Sequence, residues 1–252
     1  MKRWATAGAL ALLALGLAAC RPFGPRRETV RAYVVHLAQA PFQKLADDFE
    51  RETGIRVEPV YACRRSLHAT AIGNRDGDLY VNSNVKTIGE VRKAGITAAA
   101  PTTIGHLIPA IVVMKGNPRQ IAAVADLAKP GVRICLGDPK GCMGAVGDEI
   151  LKKAGVGDKA AANVVLRAAG EFDIARSVDG TSIDAAIVWG SVVLEIQRTD
   201  VEILPIPGEL NILEPVEMLV LDTGRNRAGA ARLAAFLHGP KAQQVLAEAR
   251  LR

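Results

Sequence analysis

The sequence contains few aromatic residues and none of the short motifs that mark common catalytic sites. Phe, Trp and Tyr make up 4% of its 252 residues, whereas hydrophobic residues make up 49%. We find no G-x-S-x-G nucleophile elbow, no H-E-x-x-H zinc motif, no P-loop and no G-x-G-x-x-G dinucleotide fingerprint. A pair of Cys63 with His36 or His68 has nothing in the sequence to orient it, so a cysteine–histidine enzyme is the remote alternative.

The sequence also lacks a basic run and a long apolar run. The net charge is +6, and no cluster of lysines and arginines is interleaved with aromatic residues, which argues against nucleic acid as a partner. The apolar stretch over residues 5–19 is shorter than the roughly 20 residues that a membrane-spanning helix needs.

The N-terminus has the features of an export signal. Lys2 and Arg3 supply a positive start, the apolar stretch follows, and “LAAC” at its end resembles a bacterial lipobox. We predict that residues 1–19 form a signal peptide, that Cys20 is lipidated, and that residues 20–27 form a short tether. An ordinary signal peptide cut nearby is the alternative. Both predict an exported protein, at the periplasmic face or the cell surface.

Export changes the meaning of the three remaining cysteines, Cys63, Cys135 and Cys142. Exported compartments favour disulfides, but three is an odd number, so at least one cysteine is free, metal-bound or paired with another chain. Cys135 lies inside the strand-like segment “VRICLGDP”, and we expect it to pack in the core, as small buried cysteines commonly do.

Strand-like and helix-like segments alternate along the chain, which predicts parallel α/β sheets. Phe42, Leu45, Ala46 and Phe49 recur at the spacing of one helix face, and Gly54 lies where a helix C-cap belongs.

Two segments are suited to carry the chain between two lobes. The apolar strand “HLIPAIVVMKGNP” predicts the outward crossing, and “VEILPIPGELNILEPVEMLVLD” predicts a return crossing with two strands. We expect residues 28–109 and 213–252 to form lobe I and residues 110–212 to form lobe II. Ligands of such sheets bind beyond the carboxyl ends of the strands, near helix N-termini, which here means the cleft between the lobes.

The order of several motifs resembles a known family. “LADDFERETGIRVEPVY”, “SLHATAIGNRDGDLYVNS”, “VVMKGNP”, “DLAKPGVRICLGDPKGCMG” and “DAAIVWGSVV” together resemble the periplasmic substrate-binding proteins of molybdate/tungstate-type ABC importers, over about Val30 to Leu251. The resemblance implies a type II two-lobe fold, in which each lobe is a mixed, mostly parallel sheet flanked by helices and two crossover strands form the hinge. It also implies a monomer without a cofactor, which passes a small inorganic ligand to a membrane permease.

The same resemblance points to the ligand-binding positions, although most of them differ from the family pattern. His36 stands where the family has a serine, “CRR” replaces a “GSG”-like turn, and Trp189 replaces a tyrosine. Gly144 and Ile174 match positions that offer backbone N–H groups. The predicted ligand-binding residues are His36, Cys63, Arg64, Arg65, Ser66, Cys142, Gly144, Ile174 and Trp189.

Two ligand classes fit these residues. Arg64 and Arg65 supply charged donors, and the helix that begins near Gly144 adds N–H groups and a favourable dipole, so a molybdate-like oxyanion is the favoured ligand.

A soft metal or metalloid bound through Cys63 and Cys142, with His36 or Cys135, is the alternative, in which neighbouring arginines would lower the thiol pKa. A disulfide between Cys63 and Cys142 is a third possibility. Glu214 and Glu217 flank the return crossing, and we assign neither of them to the site.

Overall fold

The computed structural model describes residues 28–83, 85–97 and 99–251, so the predicted signal peptide, Cys20 and the tether lie outside the described residues. Two five-stranded sheets organise this part of the chain, and helices flank both of them. The first sheet takes its strands from the two ends of the described sequence, and the second takes its strands from the segment between them.

The first sheet has the strand order β2–β1–β3–β10–β4. Its strands are β1 (Thr29–Val35), β2 (Arg56–Ala62), β3 (Leu79–Asn82), β4 (Thr102–Leu107) and β10 (Glu214–Val220). The helices that flank it are α1 (Gln39–Thr53), α2 (Arg64–Asn74), α3 (Val85–Lys93), α8 (Arg227–Leu237) and α9 (Pro240–Glu248). β1 pairs in parallel with β2 and β3, whereas β10 is antiparallel to β3 and β4, so β10 alone opposes the other four strands.

The second sheet repeats this arrangement with the order β7–β6–β8–β5–β9. Its strands are β5 (Pro109–Met114), β6 (Ile134–Gly137), β7 (Val164–Ala168), β8 (Ala185–Trp189) and β9 (Val201–Pro205). The helices that flank it are α4 (Cys142–Lys153), α5 (Gly157–Ala161), α6 (Glu171–Ser177) and α7 (Gly190–Glu195). β6 pairs in parallel with β7 and β8, and β5 alone runs against the others.

Helix α1 follows the apolar spacing of its sequence. Phe42, Leu45, Ala46 and Phe49 are all buried, which confirms the predicted helix face. Gly54 adopts a left-handed conformation with φ 74°, and its N–H donates to the Glu50 carbonyl over 2.8 Å, so the predicted C-cap is also present.

The sequence predicts the outward crossing as one long strand, but the structure divides it into two strands. β4 ends at Leu107 and β5 begins at Pro109 in the other sheet, so Ile108 is the point where the chain changes sheets. A proline has no N–H for the ladder and restricts the residue before it, which explains the break. The side-chain amide of Asn211, on the return crossing, donates to the Pro109 and Ile206 carbonyls over 3.1 and 3.3 Å and ties the two crossings together.

In the described part of the chain, no helix is long and apolar enough to cross a membrane.

Candidate ligand-binding cleft

The carboxyl ends of neighbouring strands bring distant parts of the sequence together. Val35 lies opposite Ala62 at the end of the β1–β2 pair, so His36 and Cys63 leave adjacent strand ends. In the second sheet the end of β6 lies beside the end of β7, and their loops lead into α4 and α6. Such edges are where ligands of open α/β sheets bind.

Helices α2 and α4 both begin at this place without a side-chain cap. Cys63 and Gly141 occupy the N-cap positions in extended conformations, and neither helix start has a capping side-chain hydrogen bond. The first N–H groups of a helix have no partner within the helix, so both starts present donors and the positive end of a dipole.

Arg64, the first residue of α2, bonds to both halves of the molecule. One terminal nitrogen donates to the two carboxylate oxygens of Glu214 over 2.9 and 3.2 Å and to the Ser83 carbonyl over 3.2 Å. The other terminal nitrogen donates over 3.2 Å to Glu171, the first residue of α6 beside the second sheet. The side chains of Arg64, Glu214 and Glu171 are only 15%, 14% and 20% exposed. Water therefore screens these contacts less than it would at the surface.

Cys142, the first residue of α4, completes the cluster. Its thiol donates to a carboxylate oxygen of Glu214 over 3.0 Å. Glu214 is the first residue of β10 in the first sheet, so this bond also joins the two halves. We call the group formed by Arg64, Cys142, Glu171 and Glu214 the Arg64 cluster.

His36 adds an aromatic contact across the same gap. Its ring lies 5.2 Å from the ring of Phe172 on α6, measured between centroids, and its Nδ1 lies 3.3 Å from the Ala62 carbonyl. The guanidinium of Arg176 lies 5.7 Å from the centroid of the Phe172 ring. His36 therefore borders the cleft and is partly covered by the opposite side.

The protonation behaviour of the two cleft cysteines corrects the expectation that arginines make both of them thiolates. Burial raises the pKa of the Cys142 thiol to about 11; Arg64 opposes this effect and Glu214 adds to it. The pKa of Cys63 is lowered by hydrogen bonds from the Ser66 side chain and from the backbone of Ser66 and Arg65, and the charge of an arginine is not among the causes. Cys142 is therefore a neutral thiol and a hydrogen-bond donor near neutral pH.

The charge of Arg64 is secure in this setting. Burial disfavours the charged guanidinium, but Glu214, Cys142 and Glu171 together outweigh burial and raise the pKa of Arg64.

Several other residues that we predicted to bind ligand lie at the same edge, and they differ in how exposed they are. Arg65 and Ser66 are exposed on the first turn of α2. Trp189 ends β8 and is fully buried, and its indole N–H has no hydrogen-bond partner among the described residues. Gly144 is buried on the first turn of α4, against the backbone of Asp138.

The prediction for Ile174 needs a correction. Its N–H donates to the Gly170 carbonyl over 3.1 Å, because α6 begins at Glu171 and Ile174 is already deep enough to bond within the helix. Its side chain is buried in the core, so the residue supports α6 and offers no free backbone donor.

The cysteines give little support to a disulfide or a metal centre. Cys63, Cys135 and Cys142 are all free thiols, and Cys135 is fully buried in β6, where we expected it to pack. Within the ranges that the structure describes, no group of three or more His, Cys, Asp or Glu side chains is placed to hold a metal ion.

Sequence reasoning missed three partners of Arg64. Glu214 flanks the return crossing without a signal that assigns it to the site, and neither Glu171 nor Ser83 is among the residues predicted from the sequence. An acidic residue directly after Gly170 at a helix start is a weak local signal for Glu171. Glu214 lies 150 residues from Arg64 in sequence, so only the tertiary fold reveals their contact.

Two surface cavities lie away from the Arg64 cluster. One of ≈ 670 Å³ opens at the amino ends of β1 and β2 and is lined by Glu28, Arg31, Glu58, Asp76 and Arg225, among others. The other, of ≈ 420 Å³, lies between the two crossings and the C-terminal segment. Neither cavity is lined by a residue of the Arg64 cluster.

Comparison with known proteins identifies relatives that are similar over most of the chain. The molybdate-binding protein ModA of Mycobacterium tuberculosis is 25% identical over 247 residues, which cover 94% of this chain and 92% of that protein. The substrate binding domain of a putative molybdenum ABC transporter from Clostridium difficile has a TM-score of 0.75 at 13% identity and covers 87% of this chain and 96% of that chain.

The periplasmic molybdate-binding protein of Azotobacter vinelandii has a TM-score of 0.65 at 18% identity and covers 88% of this chain and 98% of that one. These likenesses confirm the predicted fold class, with two mixed sheets in a two-lobe arrangement of the periplasmic-binding-protein type. A family model described as bacterial extracellular solute-binding protein matches residues 30–249. The resemblance predicted from the motifs is thereby confirmed, and the chain belongs to the family of bacterial extracellular solute-binding proteins.

Proposed function

We propose that this protein is the ligand receptor of an ABC-type importer and that it binds a small inorganic oxyanion in the cleft at Arg64. The observation that carries the proposal is the position of the Glu214 carboxylate, which accepts from Arg64 and from the Cys142 thiol. A carboxylate is itself a negatively charged group of oxygen atoms, so the cleft has the donors that an oxyanion needs. The molybdate-binding relative from Mycobacterium tuberculosis supports the same ligand class.

The uncapped starts of α2 and α4 add to this donor set. The N–H groups and dipoles of these helix starts favour an anion, as helix N-termini do in general. Hydrogen bonds to charged groups contribute about 1.5–3 kcal/mol each. Two or three of them are enough for roughly micromolar affinity after the cost of ordering.

We place the ligand contacts on residues that border this gap. Arg64 is the central donor, the indole N–H of Trp189 is a further donor, and Arg65 and Ser66 form an exposed rim. The remaining contacts in the proposal come from His36, Cys63, Cys142, Gly144, Glu171 and Glu214.

The cleft lies between lobe I, residues 28–109 and 213–252, and lobe II, residues 110–212. Closure depends on contacts between the lobes, such as those of Arg64 with Glu171 and of Cys142 with Glu214. We propose that the mature protein is a monomer, is held at the membrane by a lipid on Cys20, and delivers its ligand to a permease.

A thiol-based metal or metalloid site is the weaker reading of the same cleft. The thiol of Cys142 stays protonated near neutral pH, because burial raises its pKa to about 11. A cysteine binds a metal ion as its thiolate. The free energy needed to deprotonate Cys142 would therefore weaken metal binding.

A ligand panel tests the proposal. The purified protein, kept reduced, is titrated with molybdate, tungstate, sulfate, phosphate and arsenate, and separately with arsenite, Cu(I) and Zn(II). An oxyanion at about 100 times its Kd adds about 2.7 kcal/mol of stability, which raises the Tm by about 5–10 °C for a protein of this size.

The double variant Cys63→Ser with Cys142→Ser serves as the control. It keeps the oxyanion response if the ligand is an oxyanion and loses the whole response if the ligand is thiophilic. A protein that responds to metals or arsenite but to none of the oxyanions would refute the proposal.

A further inference from the structure

We propose that the cleft selects oxyanions that keep a proton at neutral pH, of the phosphate and arsenate class, over the fully deprotonated sulfate, selenate and molybdate. This inference rests on the proposed function and names its ligand class more closely. It arises from the two carboxylates of the Arg64 cluster, which a site for a bare dianion would not need.

The two carboxylates lie where a ligand of Arg64 has to bind. Glu214 and Glu171 contact the same guanidinium at 2.9 and 3.2 Å, and their side chains are 14% and 20% exposed. An anion that bonds to this guanidinium therefore lies beside one or both of them. One positive and two negative side chains leave this cluster with an excess of one negative charge (1 − 2 = −1).

The chemistry of the donors and acceptors then decides which anion fits. An ionised carboxylate only accepts hydrogen bonds, and the oxygens of sulfate or molybdate at neutral pH also only accept. Placing such oxygens against Glu214 or Glu171 gives repulsion and leaves partly buried acceptors without donors. A protonated oxyanion carries an O–H group that donates to a carboxylate in a short, charge-assisted bond.

The remaining sides of the cluster supply the donors for the unprotonated oxygens. Arg64 offers N–H groups, and the starts of α2 and α4 lie beside it. The single proton of the Cys142 thiol is donated to Glu214, so this thiol holds the carboxylate in place. The hydroxyl of Ser83 is buried without a partner among the described residues, on a residue whose carbonyl already bonds to Arg64. A site that combines donors with acceptors matches a ligand that has both.

Matched ligand pairs test this selectivity on the unchanged protein. Phosphate and sulfate are tetrahedral ions of similar size that differ in protonation, and so are arsenate and selenate. We expect isothermal titration calorimetry at pH 7 to give a Kd at least about tenfold lower for the protonated member of each pair, which corresponds to about 1.4 kcal/mol.

The variant Glu214→Gln tests the residue that we hold responsible. Its amide N–H₂ can donate to a bare oxyanion oxygen, so we expect the preference for phosphate over sulfate to fall at least about tenfold. Asp148→Asn is the matched control, because Asp148 pairs with Arg167 and is not part of the Arg64 cluster, and its loss changes the net charge equally. This control should keep the wild-type ratio within about twofold.

The outcomes separate the inference from the proposed function. Tight binding of sulfate, selenate or molybdate with no advantage for phosphate or arsenate leaves an oxyanion receptor but overturns the selectivity. An unchanged ratio in Glu214→Gln also overturns it. Failure of the wild-type protein to bind any of these ions removes the proposed function itself. If Glu214→Gln does not fold, the wild-type ratios alone decide.

Discussion

Replacing Arg64 with alanine is expected to weaken oxyanion binding at least about a hundredfold, since it removes two or more charge-assisted hydrogen bonds of about 1.5–3 kcal/mol each. It also leaves the carboxylates of Glu171 and Glu214 beside the ligand without their shared cation. The effect should therefore exceed the loss of Arg64 contacts alone. Arg64→Lys keeps the charge but loses the planar fork, and we expect an intermediate loss of about tenfold.

Arg65, at the exposed rim of the proposed site, gives a comparison for the change in charge. It is the neighbouring residue on α2, but it is exposed. Arg65→Ala removes the same unit of charge and should change the Kd by less than about threefold, as expected for a solvated side chain. Calorimetric titration of the three variants with the ion that the wild-type protein binds best measures these differences. Equal Kd values for Arg64→Ala and the wild-type protein would show that the ligand binds elsewhere.

Replacing Gly144 with alanine is expected to destabilise the fold by about 3 kcal/mol or more, because a new methyl group has no room there. A Cβ atom on Gly144 would lie 1.9 Å from the Asp138 carbonyl oxygen and 2.4 Å from its carbonyl carbon. Both are backbone atoms and cannot swing away as a side chain would. The start of α4 would have to shift, which would move Cys142 away from Glu214 and weaken ligand binding as well.

Gly147 lies one turn further along α4 and offers a matched substitution. A Cβ atom there would lie 3.4 Å from a side-chain carbon of Leu136, an ordinary contact distance. Both substitutions gain the same helix propensity of about 1 kcal/mol, so the difference between them isolates the clash. Urea denaturation of both variants gives the comparison. If Gly144→Ala unfolds at the same urea concentration as Gly147→Ala, then α4 does not begin against the Asp138 backbone as described.

Sequence patterns predict a helix or strand well where the signal lies within a few neighbouring residues. The spacing of Phe42, Leu45 and Phe49 and the glycine at position 54 were sufficient to predict α1 and its end. The Ile108–Pro109 step shows the limit of the same reasoning. The apolar run predicts one strand, whereas the proline separates two strands that belong to different sheets.

The site was harder to predict because its decisive contacts join residues that are far apart in sequence. Arg64 could be proposed from its place at a strand-to-helix junction, but its partners Glu171 and Glu214 are 107 and 150 residues away. The wrong prediction that arginines ionise both cleft thiols has the same cause. Nearby arginines in the sequence indicated thiolates, whereas the burial that raises the pKa of Cys142 is visible only in the folded chain.

Crystals of the protein grown with arsenate, measured at the arsenic absorption edge, test the central claim most directly. We expect one strong anomalous peak between the starts of α2 and α4, within about 4 Å of the Arg64 guanidinium carbon, as hydrogen bonding requires. An arsenate bound instead in the ≈ 670 Å³ cavity near Arg31 and Arg225, with none in the cleft, would contradict the account.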